Sequence, residues 1–168
     1  MGRKYQLGKR FNRTKYVCII AEMMVMYVFH FLYQLFFPQW DGFALGAGFA
    51  LVAAAIALGT YKLLDWCAAH MWYEVTEQGL RVNRGNTVRL YPWEDFVAAG
   101  VDNTNILSRM PAWFKLKDGT RMTLEQYTEG LGSLILDILD HIQDHAEISN
   151  ALVERLKTEK AKYDKYYR

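Results

Sequence analysis

Two long apolar runs separated by five residues constrain this chain more than anything else in it. Residues 16–37 read YVCIIAEMMVMYVFHFLYQLFF, and residues 43–64 read FALGAGFALVAAAIALGTYKLL. As a helix, a run of 22 residues extends roughly 33 Å, enough to cross a hydrocarbon core of about 30 Å. PQWDG lies between them, and Pro38 and Gly42 both disfavour helix. Two spans joined by so short a loop form an antiparallel hairpin.

Charge orients the hairpin. Residues 1–15 carry +6 with no acid (Arg3, Lys4, Lys9, Arg10, Arg13, Lys15), whereas the loop after Phe37 has no Lys or Arg. Basic flanks stay on the cytoplasmic side. Residues 1–15 are therefore predicted to be a basic cytoplasmic arm, and the second span returns the chain to the cytoplasm. The expected place is a cell (inner or plasma) membrane, multi-pass, with both termini cytoplasmic. A secretory signal peptide is a poor fit, because its apolar core is about 7–15 residues and a second span follows here. Net charges of −2 over 16–69, −4 over 70–145 and +2 over 146–168 leave no soluble basic patch, so no nucleic-acid partner is expected.

The second span places small residues at Gly46, Ala50, Ala53, Ala54 and Ala57. Small residues let helix backbones approach in lipid, which predicts packing against the first span or a second copy. Four polar positions fall within the spans: Glu22, His30, Gln34 and Lys62. Intramembrane ionisable groups are costly and mark candidate sites. Glu22 is predicted to lie within reach of Lys62 as a polar clasp.

Beyond Leu64, DWCAAH reads as a link to alternating strand candidates. MWYEVTE, LRVNR and TVRLYPW are separated by QG and GN turns. Leu80 and Val82 are predicted inward with Arg81 and Asn83 outward; Val88 and Leu90 inward with Arg89 and Tyr91 outward. AWFKLKDGTRMTL is the clearest hairpin, turning at Asp118-Gly119. After Tyr127 the period lengthens to that of a helix. Leu131, Leu134, Ile135, Ile138, Leu139 and Ile142 make one apolar stripe that must bury against the sheet. This is an α+β arrangement: a two-helix transmembrane hairpin (16–64), a cytoplasmic domain over 70–145, and a charged helical tail over 146–168.

YEVTEQGLRV, VRLYPWEDF, LKDGTRMTL and LGSLILDILDHI, in that order behind membrane spans, resemble the bacterial pleckstrin-homology-like domains of the YcxB-like kind. The resemblance covers roughly residues 15–145. It implies a partly open antiparallel β-barrel capped by a C-terminal amphipathic helix. Relatives that grip phosphoinositides carry Lys and Arg in the first strand–strand loop. Here that loop is read as TEQG, tight and acidic, which argues against a headgroup pocket.

No motif in the chain declares a reaction. The glycines lack phosphate-loop spacing, and Cys18 and Cys67 make neither a metal set nor a cytoplasmic disulfide. The best metal candidate is Asp137, His141, Asp144 and His145 on one helix stripe, where imidazoles four apart can share a zinc. The stripe opposes the buried face, so a solvated polar face near the helix C-terminus is the expected reading. Glu94 and Asp95, adjacent in the chain, diverge and suit a turn. No catalytic residue, metal, cofactor or small-molecule substrate is assigned. Tyr91, Trp93 and Trp113 are the candidate partner surface. The expected function is a non-enzymatic membrane-anchored scaffold or accessory protein. It would hold a protein partner or a second copy at the bilayer. A lipid sensor, a transporter or channel subunit using Glu22 and His30, and an enzyme with an undetected site are the alternatives.

Overall fold

In a computed structural model the chain is described at residues 2–38, 42–101 and 112–157. Contacts divide it into two units, residues 11–68 and residues 1–10 together with 69–168. The fold class is α+β.

The first unit is built on α1 (Lys9–Phe36) and α2 (Gly42–His70). Both are long and apolar enough to cross a membrane. Their apolar side chains stand exposed, as at Phe36 (71%) and Leu51 (73%). Both helices outrun the apolar runs at the ends away from the PQWDG loop. DWCAAH is accordingly the last turn and a half of α2, with no separate linker. Residues 39–41, including Trp40, lie outside the described set.

The second unit holds two sheets. The first has strand order β1-β2-β3-β4, from β1 (Arg3–Gln6), β2 (Met71–Val75), β3 (Gly79–Arg84) and β4 (Thr87–Pro92). The second has order β7-β6-β5-β8, from β5 (Phe96–Val101), β6 (Ala112–Leu116), β7 (Arg121–Thr123) and β8 (Glu147–Ile148). All pairings are antiparallel except the short β5–β8 pair. Arg84 Nη2 donates to Thr123 O at 2.7 Å, tying one sheet to the other.

The basic arm is corrected by β1. Arg3–Gln6 pairs antiparallel with β2, setting Tyr5 opposite Tyr73. Tyr5 is buried in the core. Its other edge is held as well: Glu129 N donates to Gln6 O at 2.8 Å and Gly8 N to Tyr127 O at 3.0 Å. The helical hairpin is therefore an insertion between two adjacent, paired strands. The first strand–strand connection is that hairpin, and TEQG becomes the second.

The β4 reading is also corrected. Gly85 has φ +74 and Asn86 a negative φ, the combination of a type II′ turn, whose two-residue loop fixes register. Arg84 pairs with Thr87, which sets Leu80 opposite Tyr91 and Val82 opposite Arg89. Directly opposed residues share a face. Tyr91 thus lies on the core side with Leu80, while Val88 and Leu90 emerge on the outer side with Asn83 and Arg81. Val88 and Leu90 are exposed, and Tyr91 packs partly against the core. Asn83, predicted outward, does face outward yet is buried, and its Oδ1 has no hydrogen-bond partner among the described residues.

Two expectations hold closely. β6 and β7 form the hairpin around Asp118-Gly119, with Gly119 at φ +83 and Thr120 N donating to Asp118 Oδ1 at 2.8 Å. Those contacts with Thr120 hold the exposed Asp118 carboxyl below its usual range. The apolar stripe lies on α3 (Leu131–Ile142), and all six of its residues are buried. The tail is corrected in part. Residues 147–148 make β8, residues 150–157 are helical, and Leu152 and Leu156 belong to the core. The domain thus extends past 145; residues 158–168 lie outside the described set.

Candidate functional site

A connected set of polar contacts in the sheet unit joins β1, α3 and the turn after β4. The strand alternation that buries Tyr5 also brings Arg3 to the core side, toward α3. Asp137, on the flank of the α3 stripe, receives both: Tyr5 OH donates to its Oδ2, and Arg3 Nη1 lies 3.4 Å from the same oxygen. An N-terminal strand is thereby clamped to the C-terminal helix. Asp137→Ala leaves the half-buried Tyr5 hydroxyl and Arg3 without this acceptor. The expected cost is about 1–2 kcal/mol, and Tyr5→Phe should cost less. A double-mutant cycle read by urea unfolding measures the coupling.

One helical turn on, His141 Nδ1 lies 2.7 Å from Asp137 O, and its ring stacks on Trp93 at 4.4 Å between centroids. Trp93 opens the 3-10 turn Trp93–Asp95 that follows Pro92. It is buried, and its indole N–H donates to Thr76 O at 3.0 Å. His145 Nε2 lies 2.9 Å from Trp93 O. An open cleft of about 700 Å³ runs alongside, lined by Arg3, Thr76, Glu77, Arg81, Leu90 and His141 among others. Its cations are already matched: Arg3 by Asp137, and Arg81 by Glu74 at 3.1 Å.

These contacts separate the four residues of the metal candidate. α3 ends at Ile142, so Asp144 and His145 do not continue the stripe of Asp137 and His141. His145 turns to the Trp93 carbonyl and Asp137 to β1. Among the described residues no three His, Cys, Asp or Glu side chains form a metal-ligating group. Glu94 and Asp95 belong to the 3-10 turn, where Asp95 O accepts from Lys117 N at 2.8 Å.

The three aromatics do not make one surface. Trp93 is core. Tyr91 is half-buried beside Leu80 on the first sheet. Trp113, on the second sheet, lies across Gly100, with the Arg121 guanidinium 4.5 Å above its ring. A methyl group on Gly100 would come within 2.5 Å of that indole. Sequence pattern gave no sign of this fit.

Among the intramembrane positions, Glu22 pairs with Thr60, whose Oγ1 donates to Oε1 at 3.0 Å. This corrects the expected partner Lys62, whose side chain is exposed. Thr60 offers a donor without bringing a second charge between the helices. Glu22 Oε2 and His30 Nδ1 are buried without a hydrogen-bond partner among the described residues. The His30 ring lies against Gly46 and tilts onto Phe49 at 5.3 Å. A small apolar cleft of about 240 Å³ lies beside it. Gln34 is exposed. An ion pair that the sequence reading missed joins Lys15, buried, to Asp65 at 2.7 Å, with the ammonium 4.1 Å from the centre of the Tyr61 ring. The signal was present, since Lys15 and Asp65 sit at matching ends of the two apolar runs.

Family models, curated proteins and solved structures were compared with the chain, and none matches it.

Proposed function

We propose that this chain is a membrane-anchored binding protein, non-enzymatic, that presents a pleckstrin-homology-like domain to a protein partner at the cytoplasmic face. The observation that carries the reading is the insertion of the apolar hairpin between β1 and β2. Leu7 and Gly8 alone join β1 to α1, and α2 passes directly into β2. A flexible tether would let a domain sample the cytosol. Two short connections instead keep it at the bilayer, which suits a protein that holds something in place. The pleckstrin-homology-like part of the reading is supported by four- and three-stranded antiparallel meanders followed by a helix that buries its stripe. Residues 2–7 and 70–157 together carry a net −2, the −4 of residues 70–157 being offset in part by Arg3 and Lys4. This favours a protein partner over an anionic leaflet, which repels acids as it attracts each Lys, by about 1 kcal/mol.

Reporter fusions at residue 1, beside Trp40 and at residue 168 test the topology on which this rests. The expected pattern is cytoplasm, outside, cytoplasm. A C-terminal reporter outside the cell would move the domain to another compartment and end the proposal. For the binding step, the full chain is purified in mild detergent beside residues 9–69 alone. A stoichiometric protein retained only by the full chain is the expected result; one retained equally by the helices would assign binding to the anchor.

A further inference from the structure

Among the described residues, β4 is an unpaired edge of the first sheet. The opposite edge strand, β1, is met at its C-terminal end by residues 127–129, which contact Gln6, Leu7 and Gly8, whereas among the described residues β4 pairs only with β3. Open edges invite another strand.

The register says which backbone groups are free. The pair flanking a two-residue turn is hydrogen-bonded, and bonded pairs alternate with non-bonded ones along the ladder. Arg84 and Thr87 flank the turn, so Thr87, Arg89 and Tyr91 direct their backbone groups to β3. Val88 and Leu90 direct theirs outward. Pro92 also faces outward, but it has no N–H to offer. The residues with free donors are the same two whose side chains stand exposed on the outer face, Val88 at 52% and Leu90 at 45%.

The geometry points to a second copy of this chain as the occupant, paired antiparallel through β4 about a two-fold axis at Leu90. An isologous interface must be self-complementary, and this register is. Leu90 opposes Leu90 of the second copy, and Val88 opposes Pro92. Each outward N–H then meets a carbonyl, and the donor that Pro92 lacks is the only one missing. On the other face Arg89 opposes Tyr91, a cation against an aromatic ring. Arg89 has no ion-pair partner among the described residues. Centring the axis on Arg89 would instead set the two guanidinium groups directly opposite each other, which is destabilising. Charge therefore disfavours the Arg89-centred register, and the apolar matching of Leu90 with Leu90 and Val88 with Pro92 favours the Leu90-centred one. The inference does not rest on the membrane reading, since β4 belongs wholly to the sheet unit.

Single cysteines test it in the full chain in detergent, with Cys18 and Cys67 replaced by serine. Across the Leu90-centred pair the two Cα atoms sit about 5.5 Å apart, within disulfide reach. At Val88 the two copies are offset by four residues, roughly 13 Å. Mild oxidation should give a covalent dimer with Leu90→Cys and none with Val88→Cys, although both sites are exposed on one face. Light scattering should show a dimer that Leu90→Lys converts to monomer, and circular dichroism should show that this exposed substitution leaves the fold intact. Equal crosslinking at the two positions, a monomeric parent chain, or a dimer indifferent to Leu90→Lys would each overturn the proposal.

Discussion

Gly79→Ala is expected to destabilise the sheet unit by about 3 kcal/mol or more, among the larger effects of a single methyl group. Gly79 opens β3 opposite Pro92. A Cβ built there would lie 2.2 Å from Tyr91 O, 2.8 Å from Tyr91 C and 2.9 Å from Pro92 Cα. All three are backbone atoms, so no side-chain rotation relieves the overlap. The turn cannot retreat either. Thr76 Oγ1 bonds both the carbonyl and the N–H of Gly79, at 2.7 and 3.2 Å, and Trp93 holds Thr76 O from the other side. Gly119→Ala is the control. Its φ is +83 with nothing within 4 Å of the added carbon, so the only cost there is added left-handed backbone strain, roughly 1–2 kcal/mol. Urea unfolding of both variants checks the pair. Equal losses at the two sites would mean that the turn over Tyr91 is looser than its contacts imply.

The sequence revealed most where periodicity was long and strong. The α3 stripe spans three helical turns, and each of its apolar residues is buried. The two apolar helices were legible from length and composition. β4 was misread although its register was readable. Alternation shows which residues share a face, but not which face is inside. Counting outward from the two-residue Gly85-Asn86 turn would have paired Tyr91 with Leu80 and sent Val88 and Leu90 out. β1 was harder. RKYQ is short and basic, and it lies beside a span where basic residues already have a reason to be. Its partner strand comes only after both long helices, so nothing local announces the pairing. The polar cluster was hidden for the same reason. Asp137 and His141 were visible on the polar side of a helix, but Tyr5 and Arg3 reach them only through a strand that local pattern did not reveal.

That strand provides the most direct test. If the helical hairpin is an insertion within one domain, the domain survives removal of the hairpin but not loss of β1. Residues 2–7 joined to residues 70–157 by a short Gly-rich turn restore the ladder, because Gln6 already opposes Trp72. This protein should be soluble and unfold in one cooperative transition. Residues 70–157 alone should not, since they expose the core position that Tyr5 fills, the free edge of β2 and the unpartnered Asp137. Burial of a Tyr-sized side chain is worth about 1.5–3 kcal/mol, and the lost ladder adds to it, a large share of the 5–15 kcal/mol typical of a domain. The decisive measurement is urea unfolding of the two proteins side by side, followed by far-UV circular dichroism. A cooperative transition only in the β1-containing protein is the expected result. Equal midpoints and equal slopes would show that Arg3–Gln6 is no part of the domain, and that the hairpin merely precedes it.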